Sequence, residues 1–107
     1  MAIEAFIIDA KDNVATLFIH TGHRGSKIAV QMDGKPLEIE LKDHVPFAHK
    51  FAIRRIPKGE QVIKYGYPIG TAIEDIEAGQ HVHIHNTESN RGRGDLAAQN
   101  IFTGARK

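Results

Sequence analysis

The sequence predicts an all-β domain built from short strands. Apolar residues alternate with polar ones at a period of two, and clusters of turn-forming residues separate the apolar runs. No window of ten or more residues carries the apolar stripe of an amphipathic helix. With 107 residues, of which 41% are hydrophobic and 25% charged, the chain has the size and composition of one ordinary globular domain.

Four apolar runs in the first half define the predicted strands. The clearest is 37–42, where Leu37, Ile39 and Leu41 alternate with charged residues. The Asp33-Gly34 pair before it is typical of a tight β-turn, so we expect a hairpin between 28–32 and 37–42. The remaining two predicted strands are 5–8 and 14–19.

An internal repeat organises the second half. A-I-R-R-I-P-K-G-E-Q-V at 52–62 and A-I-E-D-I-E-A-G-Q-H-V at 72–82 share Ala, Ile, Ile, Gly and Val at identical offsets, twenty residues apart. Each copy reads as a turn followed by a strand, and we expect Gly59 and Gly79 to adopt positive φ. Between the copies, 65–70 is predicted to be extended, pinned by Pro68. The repeat predicts a compact pseudo-symmetric β fold.

The composition excludes several classes of protein. The chain has no cysteine, so disulfides, thiolate metal sites and a cysteine nucleophile are ruled out. A formal net charge of +1 gives no electrostatic reason to bind nucleic acid or a membrane. The N-terminus lacks the basic start and apolar core of a signal peptide, and no apolar run is long enough to cross a bilayer. We therefore expect a cytoplasmic protein.

The run H-V-H-I-H-N at 81–86 is the main candidate for chemistry. If it is a straight strand, His81, His83 and His85 lie on one face while Val82 and Ile84 point to the core. Two imidazoles at this spacing can bind one metal ion, whereas three would need a bend. An exposed histidine face on an edge strand explains the pattern equally well. Groups that could complete a metal site are the carboxylates and the histidines His20, His23, His44 and His49.

Other polar residues are weaker candidates. Asn86 can end the strand, or its amide can hold a polar substrate. Lys50, next to His49, and the guanidinium groups of Arg91 and Arg93 are suited to anionic ligands. We divide the chain into a domain at 1–86 and a polar, Arg/Gly-rich tail at 87–107, and find no recognised catalytic motif.

Taken together, 46–86 resembles the small SAF-type domain that begins altronate and galactarate dehydratases. The resemblance is carried by His49-Lys50, Ile63-Lys64-Tyr65-Gly66, Ile69-Gly70 and 83–86. It is weak over 20–30. One departure stands out, because Ala48 occupies a position before His49 where the family pattern has glycine.

The resemblance implies a β-clip fold and a role as the small subunit of a lyase. In this family a large catalytic part removes water from a sugar acid such as altronate or galactarate, in association with a divalent metal, often iron. It implies His83 and His85 as catalytic and metal-binding residues. The substrate-binding candidates within the resemblance are His49, Lys50 and Asn86, and the chemistry of the tail adds Arg91 and Arg93.

Three readings of the function stay open at this point. The first is a hydro-lyase subunit that is inactive without a separate large partner. The second, within the same class, is the alpha subunit of sulfolactate sulfo-lyase. The third is a non-catalytic SAF-type module that binds carbohydrate, metal or a protein partner. Self-association of the isolated chain is also left open.

Overall fold

The structure is a computed structural model that describes residues 3–32 and 35–90. All regular elements in these ranges are strands, which confirms the predicted all-β class and agrees with a β-clip domain. The nine strands are β1 Ala5–Phe6, β2 Val14–Leu17, β3 Lys27–Met32, β4 Lys35–Glu40, β5 Lys50–Ala52, β6 Gln61–Lys64, β7 Tyr67–Ala72, β8 His81–Val82 and β9 Thr87–Ser89.

The strands form two sheets. The larger has six strands in the order β4-β3-β1-β2-β5-β8, in which β1 and β3 are parallel and the other neighbouring pairs are antiparallel. The smaller sheet has the order β6-β7-β9. The predicted hairpin is confirmed, since β3 and β4 pair from Lys27 opposite Glu40 to Met32 opposite Lys35. Its Asp33-Gly34 turn lies outside the described residues.

Four turns of one design connect these strands, and we call them clamp turns. They span 23–26, 46–49, 57–60 and 77–80, and each is closed by a hydrogen bond from its fourth N–H to its first carbonyl, with N···O distances between 2.9 and 3.0 Å. The third residue of each has positive φ: 92° at Gly25, 71° at Ala48, 91° at Gly59 and 91° at Gly79. The predicted positive φ at Gly59 and Gly79 is therefore confirmed.

Each clamp turn grips one residue elsewhere in the chain through two reciprocal hydrogen bonds. In the second turn, the Ala48 N–H donates to the Leu17 carbonyl and the Leu17 N–H donates to the His49 carbonyl, at 2.9 and 3.1 Å. The first, third and fourth turns grip Leu41, Ala72 and Ala52 in the same way. The two copies of the sequence repeat thus contain two of these four clamp turns.

The turns are also joined in pairs by isolated antiparallel bridges. Gly22 bridges Val45 ahead of the first and second turns, and Ile56 bridges Ile76 ahead of the third and fourth. Each pair organises its own apolar core. One core surrounds the fully buried Phe51 and Leu17, and the other surrounds Ile56 and Ile76. The chain therefore folds as two related halves that share β2 and β5.

The structure corrects the expectation for residues 65–70 and shows a further strand after the predicted domain boundary. The segment 65–70 is not uniformly extended, because Tyr65 and Gly66, with φ of 55° and 79°, form the tight turn between β6 and β7. The predicted boundary after residue 86 falls directly before β9, which pairs with β7 and belongs to the smaller sheet. Residues 91–107, including Arg91 and Arg93, lie outside the described residues. Within the described ranges no helix is long and apolar enough to span a bilayer.

Candidate metal centre

Three imidazoles converge at the edge of the six-stranded sheet, and we call them the His trio: His49, His81 and His83. One ring nitrogen from each lies within 4.8 Å of the others. The ring centroids are 4.7 Å apart for His49–His83, 5.0 Å for His49–His81 and 5.4 Å for His81–His83. Three imidazoles bound tetrahedrally at the usual zinc–nitrogen distance would have centroids about 5 Å apart. The donor set and spacing therefore fit a divalent transition metal.

The sheet register explains why His49 meets residues from the other end of the chain. β5 and β8 pair with Phe51 opposite His81 and Lys50 opposite Val82, so His49 falls opposite His83. His49 closes the second clamp turn, and its carbonyl is held by Leu17. His81 follows the fourth clamp turn, and its backbone N–H donates to Asp43 Oδ2 at 3.0 Å. Both backbones are therefore fixed before any ligand binds.

A buried asparagine bends the chain between His81 and His85. Asn86 is 2% exposed, and its Oδ1 accepts the His83 N–H at 3.1 Å while its Nδ2 donates to the His81 carbonyl at 2.7 Å. The backbone closes the same turn, since the Asn86 N–H donates to the His83 carbonyl. The result is that β8 ends at Val82 and the following residues form a compact turn.

This turn makes one sequence expectation wrong. Val82 is buried as predicted, but Ile84 is 81% exposed and does not point to the core. The straight-strand arrangement of three histidines on one face fails for the same reason. The bend that a single metal ion would require is present, however, and it is His81 rather than His85 that joins His83 in the trio. The His85 ring lies 5.4 Å from the His81 ring.

The other predicted site residues are distributed as follows. His49, one of the open completions, lies inside the trio, and Lys50 follows it on β5. Asn86 holds the turn, and its predicted contact with a substrate stays a prediction. The assignment of His83 and His85 as catalytic residues also stays a prediction. Asp43, which accepts the His81 backbone N–H, was not predicted because a lone carboxylate in a loop carries no sequence signal.

The surroundings of His81 and His83 favour their neutral imidazole forms. Burial, followed by the nearby His49, His85 and His83, lowers the pKa of His81 to about 4, while Asp43 opposes the shift. Burial also lowers the pKa of His83, with smaller contributions from His49, Lys50 and His85. His49 Nδ1 and His81 Nε2 are 2.8 Å apart, so one ring donates and the accepting ring is neutral. Neutral imidazole is the form that binds metal.

A surface pocket of about 300 Å³ adjoins the trio. Its polar lining residues include the half-buried Lys50 and Thr87 and the exposed His83, while Ile69, Val82 and Ile84 supply apolar walls. The Thr87 hydroxyl donates to Asn86 Oδ1 at 3.2 Å. Burial and then the charge of Lys64 lower the pKa of Lys50. One cationic group and one metal-type site at the same opening can hold a small acid that also carries hydroxyl groups.

The protein is a small all-β domain in which clamp turns are paired and three histidines lie together at the edge of a sheet. Residues 3–90 match the family model of the altronate/galactarate dehydratase SAF domain, and the chain belongs to that family. The resemblance inferred from the sequence is therefore confirmed.

Two kinds of relative are similar to this chain. The (2R)-sulfolactate sulfo-lyase subunit alpha of Chromohalobacter salexigens is 36% identical over 93 residues, which cover 85% of this chain and 99% of that subunit. The same subunit of Paracoccus pantotrophus is 37% identical over 62 residues, which cover 58% and 92%. The altronate dehydratase of Escherichia coli (strain K12) is 45% identical over 83 residues, or 78% of this chain but only 16% of that enzyme.

Proposed function

We propose that this chain is the small subunit of a metal-dependent lyase that acts on a 2-hydroxy acid, with a sugar acid such as altronate or galactarate as the substrate. The observation that carries the proposal is the His trio beside the pocket that contains Lys50. The related chains are lyases or subunits of lyases, which supports the same class. We place the protein in the cytoplasm.

Each residue of the site has a proposed role. His49, His81 and His83 would hold a divalent cation, iron among the candidates, which when bound supplies a Lewis acid for the carboxylate and hydroxyl of the substrate. The Lys50 ammonium pairs with the substrate carboxylate, and the Thr87 hydroxyl bonds one of its hydroxyls. His85, exposed beside His81, is the residue we assign to accept the C2 proton as the leaving group departs from C3.

A second chain is expected to complete this site. His83 and His85 are exposed, Ile84 between them is 81% exposed, and the pocket opens on the same side. A partner chain on this side would cover Ile84 together with both candidate catalytic groups. The name of the sulfolactate sulfo-lyase relatives, a subunit alpha, also supports a separate large partner. We expect the isolated chain to bind metal but to catalyse no elimination.

Sulfolactate is the second candidate substrate, for a specific reason. The two sulfo-lyase subunits are matched over 99% and 92% of their lengths, whereas the dehydratase of Escherichia coli is matched over 16%. In that reading sulfite rather than water leaves from C3, while the roles of the trio and Lys50 are unchanged. A binding module without chemistry is the remaining alternative.

Reconstitution tests the proposal. The chain is mixed with a candidate large subunit of the dehydratase type, and 2-keto acid formation is followed from altronate, galactarate and sulfolactate with Fe²⁺, Mn²⁺ or Zn²⁺. We expect activity on one of these acids, a loss of at least about 10²-fold with His83→Ala, and little change with the control His20→Gln. His20 is an exposed histidine whose ring bonds the Thr21 carbonyl. No elimination from any of the acids, with metal binding by the trio intact, would favour the binding module.

A further inference from the structure

A second pair of histidines, His23 and His44, lies beside the first clamp turn. The rings of His23 and His44 have centroids 5.6 Å apart and planes inclined by 48°. Both side chains are exposed, and neither belongs to the His trio. His23 is the first residue of the first clamp turn. His44 directly precedes Val45, which bridges Gly22 just ahead of that turn.

The backbone holds these two residues opposite each other. Gly22 and Val45 exchange two hydrogen bonds, with N···O distances of 2.8 and 2.9 Å, so 23 and 44 form the next cross-strand pair. In an antiparallel ladder such a pair, beside a hydrogen-bonded one, brings its side chains close together. Gly22 is also closely packed, because a Cβ there would come within 2.5 Å of Leu41 Cδ1 and displace that side chain. The positions of both histidine backbones are thus fixed by the fold.

We propose that His23 and His44 form a second metal site, which binds a borderline divalent cation such as Zn²⁺, Ni²⁺ or Cu²⁺ through two imidazoles. Their centroid separation of 5.6 Å exceeds by about 0.6 Å the value of about 5 Å expected for two imidazoles on one tetrahedral ion. Rotation of two exposed side chains closes that difference. The inference does not depend on the lyase proposal, because it uses neither the trio nor the pocket.

Two properties distinguish this site from the trio. It has two nitrogen ligands instead of three, so its ion keeps more positions open to water or to a carboxylate, and its affinity is lower. Its ligands are exposed, so an ion reaches it without opening the fold. The two sites are also linked through one segment, since Asp43, which bonds the His81 N–H, directly precedes His44.

Metal titration of the full chain tests the inference. Calorimetry with Zn²⁺ should show two classes of site, and His83→Ala should weaken the tighter one. His23→Gln or His44→Gln should each weaken the looser class by on the order of 10²-fold, since either change removes the advantage of two linked ligands. The double variant should lose no more than either single one. His20→Gln, an exposed histidine on the same segment, is the matched control and should change nothing.

A second measurement keeps the test independent of variant folding. In the His83→Ala background, NMR of the imidazole signals should show those of His23 and His44 shifting together on addition of Zn²⁺. One bound equivalent in the unmodified chain, a looser class that survives both single variants, or equal weakening by His20→Gln would each overturn the proposal. The last of these outcomes would identify nonspecific binding to surface histidines.

Discussion

Replacing Ala48 with glycine is expected to stabilise the domain. Ala48 holds the left-handed position of the second clamp turn, with φ of 71°, where the other three turns have glycine. An L-residue in this region costs about 1–2 kcal/mol. Glycine removes that cost but gives the unfolded chain more freedom, which offsets about 0.4–1 kcal/mol. The net gain in the free energy of unfolding is about 0.5–1 kcal/mol, or a rise in Tm of about 3–5 °C.

The fold supplies matched controls for this substitution. A Cβ added at Gly25 or Gly59 meets nothing within 4 Å, so alanine there suffers only the backbone cost and should destabilise by about the amount that Ala48→Gly gains. A Cβ at Gly79 would collide with the Glu40 carbonyl, so Gly79→Ala should cost clearly more. Urea unfolding followed by far-UV circular dichroism measures all four variants. A lower midpoint for Ala48→Gly, together with no loss for Gly59→Ala, would refute the reasoning.

Four further predictions concern the site and its response to pH. Asp43→Ala should weaken Zn²⁺ binding by the trio about tenfold in calorimetry, whereas Asp43→Asn, which keeps an acceptor for the His81 N–H, should not. Asn86→Ala leaves part-buried backbone groups of the turn unpaired and should cost about 1–3 kcal/mol in urea unfolding, with a comparable loss in Asn86→Leu excluding a simple volume effect. Because the pKa of His81 falls from 6.5 to about 4, the unfolded chain binds a proton that the folded chain does not. The metal-free domain should therefore lose stability as pH falls from 6.5 towards 4, and His81→Gln should flatten that part of the profile. Burial raises the pKa of Asp12, but N–H donors led by that of Gly66 at 2.8 Å outweigh it and lower the pKa. The contribution of ionised Asp12 to the free energy of unfolding is complete above pH 3.8, its ordinary pKa, and is lost as pH falls through the folded-state pKa. Asp12→Asn should therefore make the free energy of unfolding depend less steeply on pH in the acid range.

Period-two patterning was sufficient to place most of the strands. The alternation at 37–42 and the Asp33-Gly34 pair predicted β4 and its hairpin with β3, because burial on one face and turn chemistry are local properties of the sequence. The repeat at 52–62 and 72–82 predicted two clamp turns for the same reason. The sequence did not identify the other two turns as copies of this unit. Ala48 replaces the glycine that marks the position in the second turn, and Leu17 and Leu41 bond their turns at other sequence separations than Ala52 and Ala72 do.

The candidate site was only partly predictable. The histidine run identified the right segment, but period two continues through Ile84 while the backbone does not, because Asn86 offers a side-chain acceptor and donor that compete with the strand ladder. An asparagine three residues after His83 was the available signal for this turn. The approach of His49 depends on pairing between β5 and β8, which are far apart in sequence, and no local pattern specifies that contact.

The trio joins the second and fourth clamp turns, which come from different halves of the fold. A cation held by His49 and His81 would act as a reversible crosslink between positions 32 residues apart. Such an ion stabilises the folded chain by about 2.7 kcal/mol when its free concentration is a hundred times its dissociation constant. Resistance of the folded chain to proteolysis would then follow the supply of metal, so that starvation for the ion would shorten the lifetime of the protein.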